Sequence, residues 1–279
     1  MNLIWNLNLA LGKIFDLALL PFSRLNPFWG LAAISLFTGA VMVVIFKFVS
    51  NQEGIRRAKA RVRGYFLEVW IYKHDFAAVI GAVGRILKAN LSYMKFAVSP
   101  LLVLIIPVIL IMAHLNLHYG FRPFRLQESA LLTVKFSDSA PLRDTSLVLL
   151  APEGLKIETT PVRALGKNEV TWRISALKPG IHSITVKWSR GEISKNFAAA
   201  LPKIVRLAPK KSARNSFLDA FLNPGEIPLP KNSVVQAVYI DYPEAKIPLL
   251  RMEVHWIVIF FLLSIVAGFA LKGILKVEI

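Results

Sequence analysis

The sequence contains no cysteine. This absence excludes disulfide bonds, thiolate metal sites and a cysteine nucleophile, although it does not identify a compartment. Acidic residues are also scarce, because 17 Asp and Glu stand against 34 Lys and Arg in 279 residues, giving a net charge of +17. The chain is nevertheless 55% hydrophobic, which is more apolar than an ordinary soluble domain.

Charged residues are missing from three long segments. Residues 25–46 carry no ionisable side chain, and residues 96–121 and 254–271 carry no Asp, Glu, Lys or Arg. A helix needs about 20 mainly apolar residues to cross the hydrocarbon core of a bilayer. We therefore predict an α-helical multi-pass membrane protein with three transmembrane helices, at 27–48, 96–118 and 254–272. Since none of them has a charge at its centre, the usual mark of an ion or proton pathway is absent.

The basic residues indicate how the chain is oriented. Ten Lys or Arg and only three acidic residues lie between Lys47 and Lys95. Short loops rich in Lys and Arg stay in the cytoplasm, so we predict a cell (inner) membrane protein with residues 49–95 cytoplasmic and residues 122–252 extracytoplasmic. Anionic lipids of the inner leaflet then account for much of the positive charge, and no nucleic-acid partner is expected.

The helical segments outside the spans have amphipathic patterns. Residues 1–22 predict an amphipathic helix in the outer interface, and a fourth span is the alternative, which Lys13 and Asp16 make costly. Residues 49–95 predict a basic cytoplasmic hairpin of two helices. We expect the hairpin to pack through its large apolar side chains, which include Trp70 and Phe76.

The hydrophobic period changes to two in the extracytoplasmic segment. Val170, Trp172 and Ile174 alternate with polar residues, and a second such run follows a Lys-Pro-Gly turn signal. Short alternating strands separated by turns are typical of a β-sandwich. We predict an all-β Ig-like sandwich at 126–200, followed at 201–252 by a linker with a short helix and one strand.

Residues with catalytic or metal-binding chemistry are few. His114, His118 and His255 stand near the outer ends of two spans, where imidazoles are candidate metal ligands. No His-Glu-x-x-His motif accompanies them, so interfacial hydrogen bonding is the favoured interpretation. The sequence also lacks a Gly-x-Ser-x-Gly motif and an identifiable carboxylate pair. We therefore predict no enzyme activity, no cofactor and no metal.

The order of these parts resembles the Oxa1/YidC-like superfamily of membrane insertases. The resemblance lies in the span at 28–46, the basic stretch at 51–59, the hairpin to about residue 90 and the segment 100–115. It implies a hairpin that meets nascent membrane proteins and a polar groove among the spans, for which Ser35 and Thr38 are the candidate polar residues. Family members join the last two spans tightly and bacterial ones keep an arginine in the groove. Here an ectodomain intervenes and no span contains Arg.

Two functions follow from the sequence. The first is a non-enzymatic membrane scaffold or assembly protein that presents its Ig-like ectodomain to an extracytoplasmic protein partner. The alternative is an Oxa1/YidC-like insertase or chaperone for nascent membrane proteins. In both, one set of hairpin residues is expected to contact a client or lipid: Arg56, Arg57, Lys59, Arg61, Arg63 and Trp70.

Overall fold

The structure is a computed structural model that describes residues 2–138, 140–144, 146–202, 204–212, 222–230, 233–249 and 252–278. Its helices are α1 (Asn2–Leu19), α2 (Pro27–Val49), α3 (Gln52–Ile71), α4 (Phe76–Tyr119) and α5 (Trp256–Ile274). The chain divides into two compact units, the first formed by Met1–Gly30 with Leu110–Trp256 and the second by Leu31–Ile109 with Ile257–Ile279.

Three helices are long and apolar enough to cross a membrane. They are α2, the Val79–Tyr119 part of α4, and α5. Their positions agree with the three charge-poor segments of the sequence. The 18-residue helix α1, which contains Lys13 and Asp16, is not among them.

The predicted boundary between hairpin and second span, at 95/96, is not a break in the structure. The second hairpin helix and the apolar segment form one continuous helix, α4, which includes both Pro100 and Pro107. The reason lies in residues 90–96, which contain neither Gly nor Pro. Nothing in this stretch therefore interrupts the backbone hydrogen bonds of the helix.

Helices α3 and α4 form an antiparallel pair within the second unit. Lys59, early in α3, lies 6.0 Å from the ring of Tyr93, whereas Glu68, late in α3, pairs with Arg85. The predicted packing face was wrong, because Trp70 and Phe76 are largely exposed. The buried residues are smaller or lie on another face: Ile55, Ala58, Ala82, Ile86 and Ala89. Alanine lets two helix backbones approach closely, which large side chains prevent.

The β-region of the first unit is a sandwich of two antiparallel sheets. Its strands are β1 (Ser129–Phe136), β2 (Val148–Leu150), β3 (Leu155–Ile157), β4 (Val162–Ala164), β5 (Glu169–Ala176), β6 (Gly180–Trp188), β7 (Gly191–Ala199), β8 (Lys210–Ser212) and β9 (Val235–Ile240). One sheet has the order β3-β5-β1-β9-β8, with β4 also on β5, and the other has the order β2-β6-β7. Both sheets contribute to one buried core, including Trp172 of β5 and Phe197 of β7.

The sandwich extends beyond the predicted end at residue 200. Strand β9 lies between β1 and β8, with Val238 opposite Val134. The one strand predicted within 201–252 corresponds to β9. It was assigned to a linker and not to the sandwich, because a Pro-rich stretch separates it from the other strands in sequence. The short helix predicted near 212–222 falls mainly on 213–221, outside the described residues. A separate hairpin of β10 (Ile247–Leu249) and β11 (Met252–Val254) precedes α5.

Candidate functional site

A mostly apolar cavity of about 550 Å³ lies in the first unit, where α4 ends beside the sandwich. We call it the apolar cavity. Its apolar walls include Tyr119, Phe124, Leu126, Leu201, Ile247 and Pro248, and three cations also line it: Arg122, Arg125 and Lys246. A concave apolar site with a few convergent polar groups is the arrangement that protein pockets use to hold a ligand or an anchoring side chain.

Backbone hydrogen bonds hold the walls of the apolar cavity in place. Ala245 N donates to Gly120 O at 3.0 Å, and Arg122 N donates to Pro243 O at 2.9 Å. On the opposite wall, Ala200 N donates to Phe124 O at 2.8 Å. The segments that follow β7 and β9 are therefore both bonded directly to the segment that follows α4.

Arg122, on the polar side of the apolar cavity, is paired with a carboxylate that lies outside the lining. Arg122 donates two hydrogen bonds to the Glu128 carboxylate, at 2.8 and 2.7 Å, and Arg125 N donates to the same carboxylate at 2.7 Å. The bonds from Arg122 are the main reason that the pKa of Glu128 is lowered to about 2. Glu128 therefore neutralises Arg122, and Lys246 lies 3.7 Å from the Glu253 carboxylate. The exposed Arg125 supplies the positive charge at the rim.

A buried histidine connects the apolar cavity to α1. His118 lines the cavity, and its Nε2 lies 2.9 Å from Asp16 Oδ1 while its Nδ1 lies 3.0 Å from His114 O. Arg206 donates to the second Asp16 oxygen at 3.1 Å. Burial raises the pKa of Asp16, but the bond to His118 and the charge of Arg206 outweigh it and lower the pKa overall. Asp16 thus joins α1 to α4 and to the loop after β7.

The three histidines predicted as weak metal candidates do not converge. Both ring nitrogens of His118 have protein partners, and the ring of His114 stacks on Phe15 with a centroid separation of 5.2 Å. His255 lies beside Trp256. In the part of the chain that the structure describes, no three His, Cys, Asp or Glu side chains are grouped to hold a metal ion.

Replacing Asp16 with alanine should loosen α1. His118 is almost fully buried, and a buried polar group that loses its hydrogen-bond partner costs about 1–3 kcal/mol. We expect faster hydrogen exchange of the amides of α1 in the full-length protein. Lys13→Ala, on the same helix and exposed, is the matched control and should leave exchange unchanged. Equal exchange in the two variants would show that the Asp16 contacts do not hold α1.

The basic residues of α3, which were predicted as one set of client or lipid contacts, divide between two faces. Arg56, Lys59 and Arg63 line one cavity together with Lys272 and Lys276. Arg57 and Arg61 line another, near Phe96. The division follows the helical period, since residues 56, 59 and 63 are three and four apart. Trp70 is exposed at the far end of the helix.

Ser35 and Thr38, the predicted groove residues, are both buried. The Ser35 hydroxyl donates to Leu31 O of its own helix at 2.7 Å, and Ser264 Oγ of α5 donates to Ser35 O at 3.0 Å. Gly39, one turn farther along α2, lies so close to Ser264 that an added Cβ would stand 2.4 Å from the Ser264 carbonyl oxygen. Ser35 therefore lies at a close crossing of α2 and α5.

Several residues of these sites carried no signal in the sequence. Arg122 and Glu128 are six residues apart on an irregular segment, and Asp16 and His118 are 102 residues apart. Neither spacing belongs to a helix or strand period, so only the fold brings these side chains together. The chain matches no protein-family model, no curated protein and no solved structure.

Proposed function

We propose that this protein is a non-enzymatic membrane scaffold or assembly protein that holds an extracytoplasmic protein partner at the apolar cavity. The observation that carries the proposal is the apolar cavity, whose walls are bonded directly to the segment that follows α4. In the proposed orientation, with the N-terminus outside and the C-terminus inside, this cavity lies on the outer side, just beyond the apolar part of α4.

The chemistry of the apolar cavity indicates its partner. Buried apolar pockets at protein interfaces take a large apolar anchor side chain, and a positive rim favours negative charge next to that anchor. Arg125 provides the positive charge of this rim. We therefore propose that the partner is a membrane protein whose segment next to the bilayer carries an apolar anchor flanked by acidic residues.

The residues that line the apolar cavity fit binding better than catalysis. The described lining contains no carboxylate, serine or threonine. Its one histidine, His118, is already held by Asp16 and His114. A nucleophile with an adjacent base, which covalent catalysis requires, is therefore missing from this lining.

The alternative function, an insertase or chaperone for nascent membrane proteins, has less support. It needs a polar groove among the helices, and the hydroxyl of Ser35 is bonded within α2. The resemblance of the helix order to the Oxa1/YidC-like superfamily is its remaining argument. We therefore rank the scaffold function first and design the test to distinguish the two.

The absence of cysteine allows a test with single introduced cysteines. Leu126→Cys at the apolar cavity and Ile181→Cys elsewhere on the sandwich both replace exposed residues. Each is coupled in intact spheroplasts to a membrane-impermeant maleimide that carries a photo-crosslinker. We expect both to be labelled from outside, whereas Trp70→Cys is labelled only after lysis. Only Leu126→Cys should then give one discrete protein adduct.

A cavity-filling variant provides the control for specificity. Ala245→Trp on the Leu126→Cys background should abolish the adduct by occupying the cavity, and Leu165→Trp on an exposed part of the sandwich should not. Adducts with many short-lived, newly made proteins would replace the scaffold proposal by the insertase function. An adduct that survives Ala245→Trp would place the partner outside the apolar cavity.

A further inference from the structure

A second cavity, in the second unit, has the opposite character. It measures about 840 Å³ and is lined by five cations from two segments, namely Arg56, Lys59 and Arg63 of α3 and Lys272 and Lys276 at the end of α5. We call it the basic cavity. Two acids, Glu53 and Glu278, also line it, so five positive and two negative charges leave a lining charge of +3.

A reversal of the chain after α5 builds one wall of the basic cavity. Lys276 has a positive φ of 52°, and Val277 N donates back to Lys272 O at 2.9 Å, which is how a helix end with a left-handed residue satisfies its last carbonyls. The reversed segment then reaches α3, where Glu278 N donates to Gln52 Oε1 at 2.7 Å. Lys272 and Lys276 are therefore fixed facing the cations of α3.

Among the residues that the structure describes, four of the five cations have no carboxylate partner. Lys59 pairs with Glu278 at 3.1 Å, and Glu53 pairs with Arg57, which lies outside the lining. Among the described residues, Arg56, Arg63, Lys272 and Lys276 form no ion pair. Like charges held close together repel one another, so this wall gains stability from an anion that fills the cavity.

The position of the basic cavity indicates which anion binds. Gln52 and Arg56 lie at the start of α3, which begins soon after α2 ends. Lys272 follows the apolar part of α5. The basic cavity therefore adjoins the ends of two helices that are apolar enough to span a bilayer. The side chains of α5 that precede Lys272 include the exposed Ile265, Val266 and Phe269. A phosphate in the cavity thus has apolar surface beside it for acyl chains.

We propose that the basic cavity binds the headgroup of an anionic phospholipid that carries two phosphate charges. Arginine forms paired hydrogen bonds with phosphate oxygens and lysine attracts them as a point charge. Basic pockets between membrane helices on the cytoplasmic side are known to hold such headgroups. The proposal concerns the second unit and does not depend on the partner proposed for the apolar cavity.

The test compares two double variants that each remove two positive charges. One removes them from the lining of the basic cavity, and the other removes them from outside the lining. The full-length protein is placed in phosphatidylcholine nanodiscs containing a small fraction of cardiolipin, and lipid retention is counted by native mass spectrometry. Arg56→Gln with Lys276→Gln should weaken retention about 25-fold, since each basic residue contributes a factor of about five. Lys73→Gln with Lys88→Gln, two exposed residues outside the lining, should retain cardiolipin like the wild type.

Two further arms identify the source of the phosphate. Phosphatidylglycerol at equal total charge should be retained less than cardiolipin, and inorganic phosphate alone should not raise the melting temperature of the protein in detergent. Equal losses of cardiolipin retention in the two double variants would mean that the lipid is attracted by the overall positive charge of the protein, and would overturn the proposal. Stabilisation by inorganic phosphate as strong as that by cardiolipin would overturn the assignment to a lipid. Melting curves of both variants without lipid verify that each is folded.

Discussion

Replacing Glu226 with alanine should lower the free energy of unfolding of the sandwich by about 3–5 kcal/mol, because it leaves a buried lysine without its counter-ion. Lys195 of β7 is 2% exposed, and its Nζ donates to Glu226 Oε1 at 2.9 Å and to Ala208 O at 2.5 Å. Hydrogen exchange of the β5 and β7 amides in the full-length protein in detergent measures the change.

Two control variants separate the buried charge from general damage. Glu192→Ala removes an exposed pair, 3.5 Å from Lys187, and such pairs contribute about 1 kcal/mol or less. Lys195→Met combined with Glu226→Ala removes both charges and should recover most of the stability, since an apolar replacement of a buried pair is often neutral. Equal losses from Glu192→Ala and Glu226→Ala would contradict the expectation.

The same variant should become less destabilised as the pH rises. Burial lowers the pKa of Lys195 below its ordinary value of 10.5, and Glu226 opposes this shift, so removing Glu226 lowers the pKa further. Below the folded-state pKa the lysine is charged in both states and the full cost applies. As the pH rises towards 10.5, the folded state loses its proton first, and the variant regains stability. A pH-independent deficit would mean that the cost is not electrostatic.

Gly39→Leu should separate α2 from α5 and lower the melting temperature in detergent more than any exposed substitution. An added Cβ at Gly39 would stand 2.4 Å from the backbone oxygen of Ser264 and 2.9 Å from Ala267 Cβ, so the helices have to move apart. Overpacking of this kind costs about 1–3 kcal/mol. It also removes the bond from Ser264 Oγ to Ser35 O.

The control for Gly39→Leu is Gly64→Leu in α3, where an added Cβ meets nothing within 4 Å. That substitution should leave the melting temperature unchanged or raise it slightly, because leucine favours a helix more than glycine. Gly39→Ala should already lower the melting temperature, since the Cβ alone overlaps the carbonyl oxygen of Ser264. Unchanged melting of Gly39→Leu would mean that α2 and α5 do not cross at this glycine.

The features that the sequence predicted well are those that depend only on residues close together in the chain. The charge-poor segments correspond to the three apolar helices, and the alternation at Val170, Trp172 and Ile174 corresponds to three buried side chains of β5. Each of these signals needs only neighbouring residues, because helix length and strand alternation are local properties.

The features that the sequence missed depend on distant residues. Strand β9 pairs with β1 about a hundred residues away, and the contact of Lys59 with Glu278 joins residues 219 apart. On α3 and α4 the apolar period was visible, but it did not show that small side chains form the contact while Trp70 faces outward. The apolar and basic cavities are both built from such long-range contacts.

The chain enters and leaves the sandwich at adjacent points. Phe121 and Glu244 form an antiparallel bridge, and the Ala245 amide bonds to Gly120 O. A domain whose two ends meet in this way is replaceable by a short turn without displacing the chain on either side. A turn in place of the sandwich would therefore preserve the path of the chain, but it would remove the bonds that Arg206 and Leu207 make with α1 and α4.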